Sequence, residues 1–518
     1  MAPTTFPLFG YERFFAMNPK TSAKMAHVMT LHGDTATLLQ HLSTAVLATF
    51  NLHPKMRVAL LPGHSPLKAM VCPQLVDVAE LKNLYTVTQV DDEAESPQWM
   101  QFVQRECEKP FNREQDLPFC LRVFVDSSAA AKKTGFMRLV LFADHYMSDP
   151  TSGAIILNSL LHNASMLASQ PSPSASSTEP GAKTSVGVPI TERELRPSLY
   201  ECMHWVNPWL GVLNEAVSRW FIEPLFNLDH SDFTPFLPVE AATQQDFHRT
   251  PPDVGNKSAA LFSQGSADNM QRALAKCEAE NASFQGALIA STLLAFGLAK
   301  HDGRLRTCPN QPVLLKMDVT CDMRETLSLN NSANFPTDGH ERDVVGLYST
   351  AANLVFTSSE GVNAHSTSFW DLARRVDHEV QCLLLNHELK LQSVYVHETL
   401  NAENTDSSLK VQNCVLNDVT VANVGAYPYA TQIELGSPTS TVTIDTLHVY
   451  NSLPSLAPAT MLFASAVTCF NYSMMHKLGS EVAKDLFHWY VQAVEHIGQY
   501  DSGDTLVAAS ERFTGPKQ

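Results

Sequence analysis

An imidazole and a carboxylate four residues apart, His145 and Asp149, follow an apolar run that begins at Phe136. No other His-x-x-x-Asp spacing occurs in the chain. An imidazole with a pKa near ~6.5 takes a proton from an alcohol or amine at neutral pH and hands it to a leaving group, so His145 alone can serve both halves of a group transfer. Asp149 has two readings: a carboxylate that orients the base, or an acid that favours a helix N-terminus. A metal held by this pair would need further ligands. No His-Glu-x-x-His or comparable cluster supplies them, so no metal is expected. Gly63-His-Ser65 starts like a nucleophile elbow but lacks its closing glycine, which leaves a serine hydrolase without support. His387-Glu388 and His397-Glu398 read as solvated pairs.

The elements that must position His145 are legible on either side of it. Phe136 to Phe142 has the length and apolar character of a buried strand. Ser152 to Ser165, with Ile155, Ile156, Leu160 and Leu161 on one face, reads as an amphipathic helix. His145 therefore sits on a strand-to-helix connection held at both ends, where reactive side chains concentrate. Further helices are expected over residues 33–50, over 199–226, from Ser266, Ser283 and Ser368, and over 480–499. Strands are expected over 57–61, 121–125, 312–319, 411–424, 441–449 and 461–470. Residues 169–187, rich in serine and proline, cannot bury enough apolar surface to repay ordering and read as a flexible loop. The pattern is an α/β (α+β) chain: an N-terminal lobe over 1–190 that ends in this loop, and a C-terminal lobe over 191–518. Each lobe is expected to be a mixed sheet backed by helices.

With 518 residues, 44% hydrophobic and 17% charged, the chain has ample material for two cores. No run approaches the ~20 apolar residues of a membrane span. A net charge of −17 without a basic stripe excludes a nucleic-acid partner. The 10 cysteines include no Cys-x-x-Cys pair, so reduced thiols are expected. Met1 to Phe15 lacks a secretory pattern, which makes the cytoplasm the default compartment.

His145 to Asp149 resembles the His-x-x-x-Asp motif of the CoA-dependent acyltransferase superfamily, which includes chloramphenicol acetyltransferase, nonribosomal condensation domains, BAHD enzymes and fungal alcohol acetyltransferases. Further resemblances follow in order along nearly the whole chain. They are Pro7-Leu-Phe-Gly-Tyr-Glu12-Arg13, the Phe111 to Val125 segment, the helix from Ser283, the strand end Asp318-Val-Thr-Cys-Asp-Met-Arg324, and the turn Val421-Ala-Asn423-Val-Gly425. The resemblance implies chloramphenicol-acetyltransferase-like lobes with a channel between them and His145 as general base. It also implies Asp149 as a structural partner of Arg324, with Asn423 and Gly425 near the acyl group or its oxyanion. The implied reaction moves an acyl group from an acyl-CoA co-substrate to a small-molecule alcohol in a monomer, with no resident cofactor and no covalent intermediate. A condensation-type enzyme with a carrier-bound donor and an amine acceptor is the alternative, as is a degenerate member that binds without turnover. Three positions depart from the pattern. Asp144 replaces the first histidine of the condensation His-His pair, Pro150 replaces the usual glycine, and Asn423-Val-Gly-Ala-Tyr427 stands where the plant enzymes carry Asp-Phe-Gly-Trp-Gly.

Overall fold

The computed structural model describes residues 4–17, 22–64, 67–90, 98–126, 135–170, 192–203, 234–240, 259–305, 312–329, 343–385, 415, 417–453 and 457–514. Most of the expected loop at 169–187, the expected helix beyond residue 203, the pairs at His387 and His397, and the start of the strand at 411–424 lie outside the described residues.

Two six-stranded mixed sheets organise the chain, together with a small three-stranded sheet formed by β1 (Thr5–Pro7), β3 (Val58–Leu61) and β4 (Lys68–Val71). The first large sheet contains β2 (Lys24–Gly33), β5 (Tyr85–Val90), β6 (Phe119–Asp126), β7 (Phe136–Asp144), β12 (Gln432–Ser437) and β13 (Ser440–Asn451), in the order β12-β13-β2-β7-β6-β5. The second contains β8 (Ala259–Gln264), β9 (Met317–Asp322), β10 (Ser349–Asn353), β11 (Val419–Ala426), β14 (Thr460–Ala466) and β15 (Phe470–His476), in the order β10-β9-β11-β14-β15-β8. Sheet membership does not follow one cut in the sequence. The hairpin β12–β13 comes from the segment expected in the C-terminal lobe, yet β13 pairs antiparallel with β2 of the first sheet, His448 opposite Val28. The physical reason lies in edges. Beyond β2 the first sheet would expose unpaired N–H and C=O groups, and the hairpin occupies that edge.

Helices α1 (Gly10–Ala16), α2 (Thr35–Leu52), α3 (Trp99–Cys107) and α4 (Pro150–Ala168) belong to the first half of the chain. The second half supplies α5 (Ala267–Ala279), α6 (Phe284–Lys300), α7 (Phe369–Leu385) and α8 (Ser480–Glu495). On one face of the first sheet, Met29, Leu31, Leu121, Leu139 and Leu141 pack against Leu38, Leu42 and Val46 of α2 and against Ile156, Leu160 and Leu161 of α4. Val319, Val421, Leu462 and Met474 do the same for the second sheet beneath α6, α7 and α8. A third apolar cluster joins the two sheets: Ala26, Val28, Val140, Phe142 and Tyr450 of the first meet Ala422, Phe463 and Met475 of the second.

Helix starts were only partly local. Ser283 caps α6 as its residue type predicts, accepting the Gly286 N–H at 3.0 Å. Ser266 stands at the start of α5 but its side chain makes no cap. The Glu495 carboxylate, brought in from α8, accepts the Ser266 N–H at 2.9 Å and Asn269 Nδ2 at 2.8 Å. The tertiary carboxylate thus engages the backbone N–H of the N-cap residue itself and a side-chain amide, where Ser283 engages a backbone N–H inside the first turn.

Candidate active site

The turn that carries His145 is fastened before the helix begins. β7 ends at Asp144, the His145 N–H donates to Ala23 O at 2.9 Å, and the Met147 N–H donates to Asp144 O at 3.0 Å. Asp149 is the N-cap of α4 with extended backbone (φ −138°, ψ 177°), and its Oδ1 accepts the Ser152 N–H at 2.8 Å. Pro150 follows at the first helical position, where its fixed φ suits the helix and its missing N–H leaves nothing unsatisfied. An extended Asp149 therefore removes the need for a glycine at 150.

His145 Nδ1 lies 2.7 Å from Ser148 O. A carbonyl only accepts, so Nδ1 carries the proton and Nε2 holds the lone pair. The half-buried ring stacks on Phe15 of α1, with centroids 4.3 Å apart and planes 29° apart. Burial lowers its pKa below the ordinary histidine value, partly offset by the Ser148 carbonyl and by the Asp149 and Asp144 charges. The ring is therefore mainly neutral at pH 7.

Asp149 supplies no bond to that ring. Its carboxylate meets Arg324, which follows β9, in a two-pronged pair: Nη1 to Oδ2 at 3.0 Å and Nη2 to Oδ1 at 3.0 Å, with both side chains buried. The Tyr348 N–H donates to Oδ2 at 2.8 Å. Burial pushes the Asp149 pKa up, but the guanidinium and these donors outweigh it and hold the carboxyl below the usual range. Arg324 has no donor to spare, since it also reaches Val344 O, Asp322 Oδ1 and Ser152 Oγ. This cluster ties α4 to the end of β9 and to residues 344–348.

The acid in place of the first histidine has a counter-ion that sequence reasoning missed. Arg113 grips Asp144 with Nε to Oδ2 at 2.7 Å and Nη2 to Oδ1 at 3.2 Å, each side chain 1% exposed. A buried acid requires such a partner. The signal that could have found it was therefore an arginine on a neighbouring segment. Asp144→Asn keeps the shape and removes the charge, so it should lower stability by ~1.5–3 kcal/mol. The check is a urea midpoint that falls at constant slope.

Asn423 and Gly425 form a local turn. Gly425 has φ +82°, its N–H donates to Asn423 Oδ1 at 3.0 Å, and β11 bulges against β14 between the two residues. The N–H that a close backbone approach would have offered an oxyanion is thus already engaged. Gly425 lines a cavity of about 480 Å³; Asn423 does not. The cavity walls are Thr151, Ala154 and Ile155 of α4 on one side and Asp322, Arg324 and the segment Val424 to Tyr429 on the other. Leu447 of β13 completes the lining; none of the residues from His145 to Pro150 belongs to it.

No protein-family model and no curated protein matches the sequence. Solved structures do. A trichothecene 15-O-acetyltransferase from Fusarium sporotrichioides superposes with a TM-score of 0.65 at 10% identity, covering 96% of this chain and 95% of that one. The first condensation domain of the calcium-dependent antibiotic synthetase, in complex with a substrate analogue, gives 0.60 at 12% identity over 97% and 98%. The condensation domain of the Monacolin K polyketide synthase MokA gives 0.56 at 12% identity over 97% and 99%. This chain has their fold. In this acyltransferase and condensation fold, two mixed sheets backed by helices form the lobes, as the sequence pattern predicts.

Proposed function

We propose that the protein is an O-acyltransferase that moves an acyl group from an acyl-CoA thioester to an alcohol, with His145 as general base. The observation that carries this reading is the 2.7 Å contact from His145 Nδ1 to Ser148 O, which leaves a lone pair on Nε2. Nε2 takes the hydroxyl proton as the acceptor oxygen attacks the thioester carbon. The tetrahedral intermediate then collapses, the C–S bond breaks, and the imidazolium returns the proton to the departing thiolate. Covalent attachment to the enzyme is unnecessary because the donor is already activated. Asp149 and Arg324 hold the turn and take no proton. The oxygen acceptor is favoured because one structure of this fold is a 15-O-acetyltransferase. The condensation domains among the similar structures support a second reading, an acyl group delivered on a carrier protein to an amine.

Thiol release measured with a panel of acyl-CoA donors and alcohols tests the first reading, and dependence on an acylated carrier tests the second. Binding of both ligands without release from either donor would overturn both. A single base between two substrates requires a ternary complex, so initial-rate lines at varied donor and acceptor should intersect. Parallel lines with a trapped acyl adduct on a serine or cysteine would replace His145 with a nucleophile.

A further inference from the structure

His27 lies 118 residues before the motif histidine in the chain but against the same turn. It sits on β2, opposite Leu141 of β7, is fully buried, and points its Nε2 at Pro150 O, 3.0 Å away. The carbonyl accepts, so Nε2 carries the proton. Nδ1 has no hydrogen-bond partner among the described residues. The ring fills space that Gly153 leaves open: a Cβ on residue 153 would stand 2.2 Å from His27 Cε1 and Nε2. Burial, with His145 nearby, pushes the His27 pKa down to about 4, against the Pro150 carbonyl and Asp149, so the ring is neutral where an acyl transfer would run. A buried imidazole with one orphaned nitrogen is costly. Its one polar contact among the described residues goes to the residue two positions after the carbonyl that orients His145.

We propose that His27 is a positioning residue for His145, gripping the Pro150 carbonyl and seating on Gly153 so that the Ser148 carbonyl stays on His145 Nδ1. The turn then has a grip on each flank. Arg324 and Tyr348 hold Asp149 from the second sheet, and His27 holds Pro150 from the first. The catalytic consequence rests on the general-base reading above, while the geometric one does not.

The test pairs kinetics with ring nitrogen NMR on protein labelled with ¹⁵N-histidine, the His145 signals being assigned by their loss in His145→Ala. Wild type should show His145 as the Nδ1–H tautomer. His27→Leu should give a mixture of tautomers and lower kcat by ~10–100-fold, the scale of small misplacements, with KM little changed. His27→Gln, whose amide can donate to Pro150 O, should restore most of both. Gly153→Ala should act like His27→Leu, and the double variant His27→Ala/Gly153→Ala should be less impaired than Gly153→Ala because the clashing ring is gone. An unchanged His145 tautomer in His27→Leu would overturn the proposal. So would equal loss of melting temperature and kcat in the Leu and Gln variants, the mark of a merely structural residue. Absence of thiol release by wild type would count against acyl transfer alone, and the tautomer would still decide His27.

Discussion

His145→Ala is expected to fold normally and to lose at least ~100-fold in transfer rate, the scale of a missing general base. The side chain is half-buried at a turn whose fastening does not depend on it: the Ala23, Asp144 and Asp149 contacts are made by the His145 and Met147 backbone N–H groups and by the Asp149 carboxylate. Melting should therefore move little while thiol release collapses. The wild-type pH profile adds a second signature. The base works when neutral, so rate falls as pH drops through its pKa. Because burial lowers that pKa, the acid limb of kcat/KM should lie below the ~6.5 of a free histidine. A folded alanine variant that retains most of its activity, or an acid limb above that value, would contradict the assigned role.

Asp149→Ala and Arg324→Ala should each cost ~3–5 kcal/mol of stability, because removing one partner leaves the other charge buried and unpaired. The double variant should cost much less than the sum, since the uncompensated charge is then absent from both sides. Urea denaturation of the four proteins measures the coupling. Its pH dependence follows from the sign of the shift. The Asp149 carboxyl is held below its ordinary pKa in the folded state, so its contribution is complete above the unfolded value of ~3.9 and disappears as pH falls through the folded one. Coupling should be full at pH 7 and lost in strong acid. Both single variants should also slow transfer, because they release one flank of the turn under His145. Strict additivity, or a rate loss at unchanged stability, would move Asp149 from a supporting role into the chemistry.

Period and residue type placed the unit around His145 well. The apolar run from Phe136 is strand β7 through Asp144, and the face carrying Ile155, Ile156, Leu160 and Leu161 is helix α4. These signals are local: a strand buried on both faces must be continuously apolar, and a helix on a sheet must repeat its apolar residues every three or four positions. Pro150 was legible as a constraint on φ, although its solution, an extended Asp149 with proline opening the helix, needed the backbone.

What escaped the sequence shares one physical origin, the choice of partner at long range. The hairpin β12–β13 alternates like any strand pair, and nothing within it states that β2, more than 400 residues earlier, is its neighbour. Glu495 as the acceptor of the Ser266 N–H, Arg113 as the counter-ion of Asp144 and His27 against Pro150 are likewise unmarked in sequence. Buried charges and polar donors must be satisfied by some group, and this requirement is readable one residue at a time. Which group satisfies them follows from sheet order and helix placement, because those alone bring distant side chains within hydrogen-bond reach.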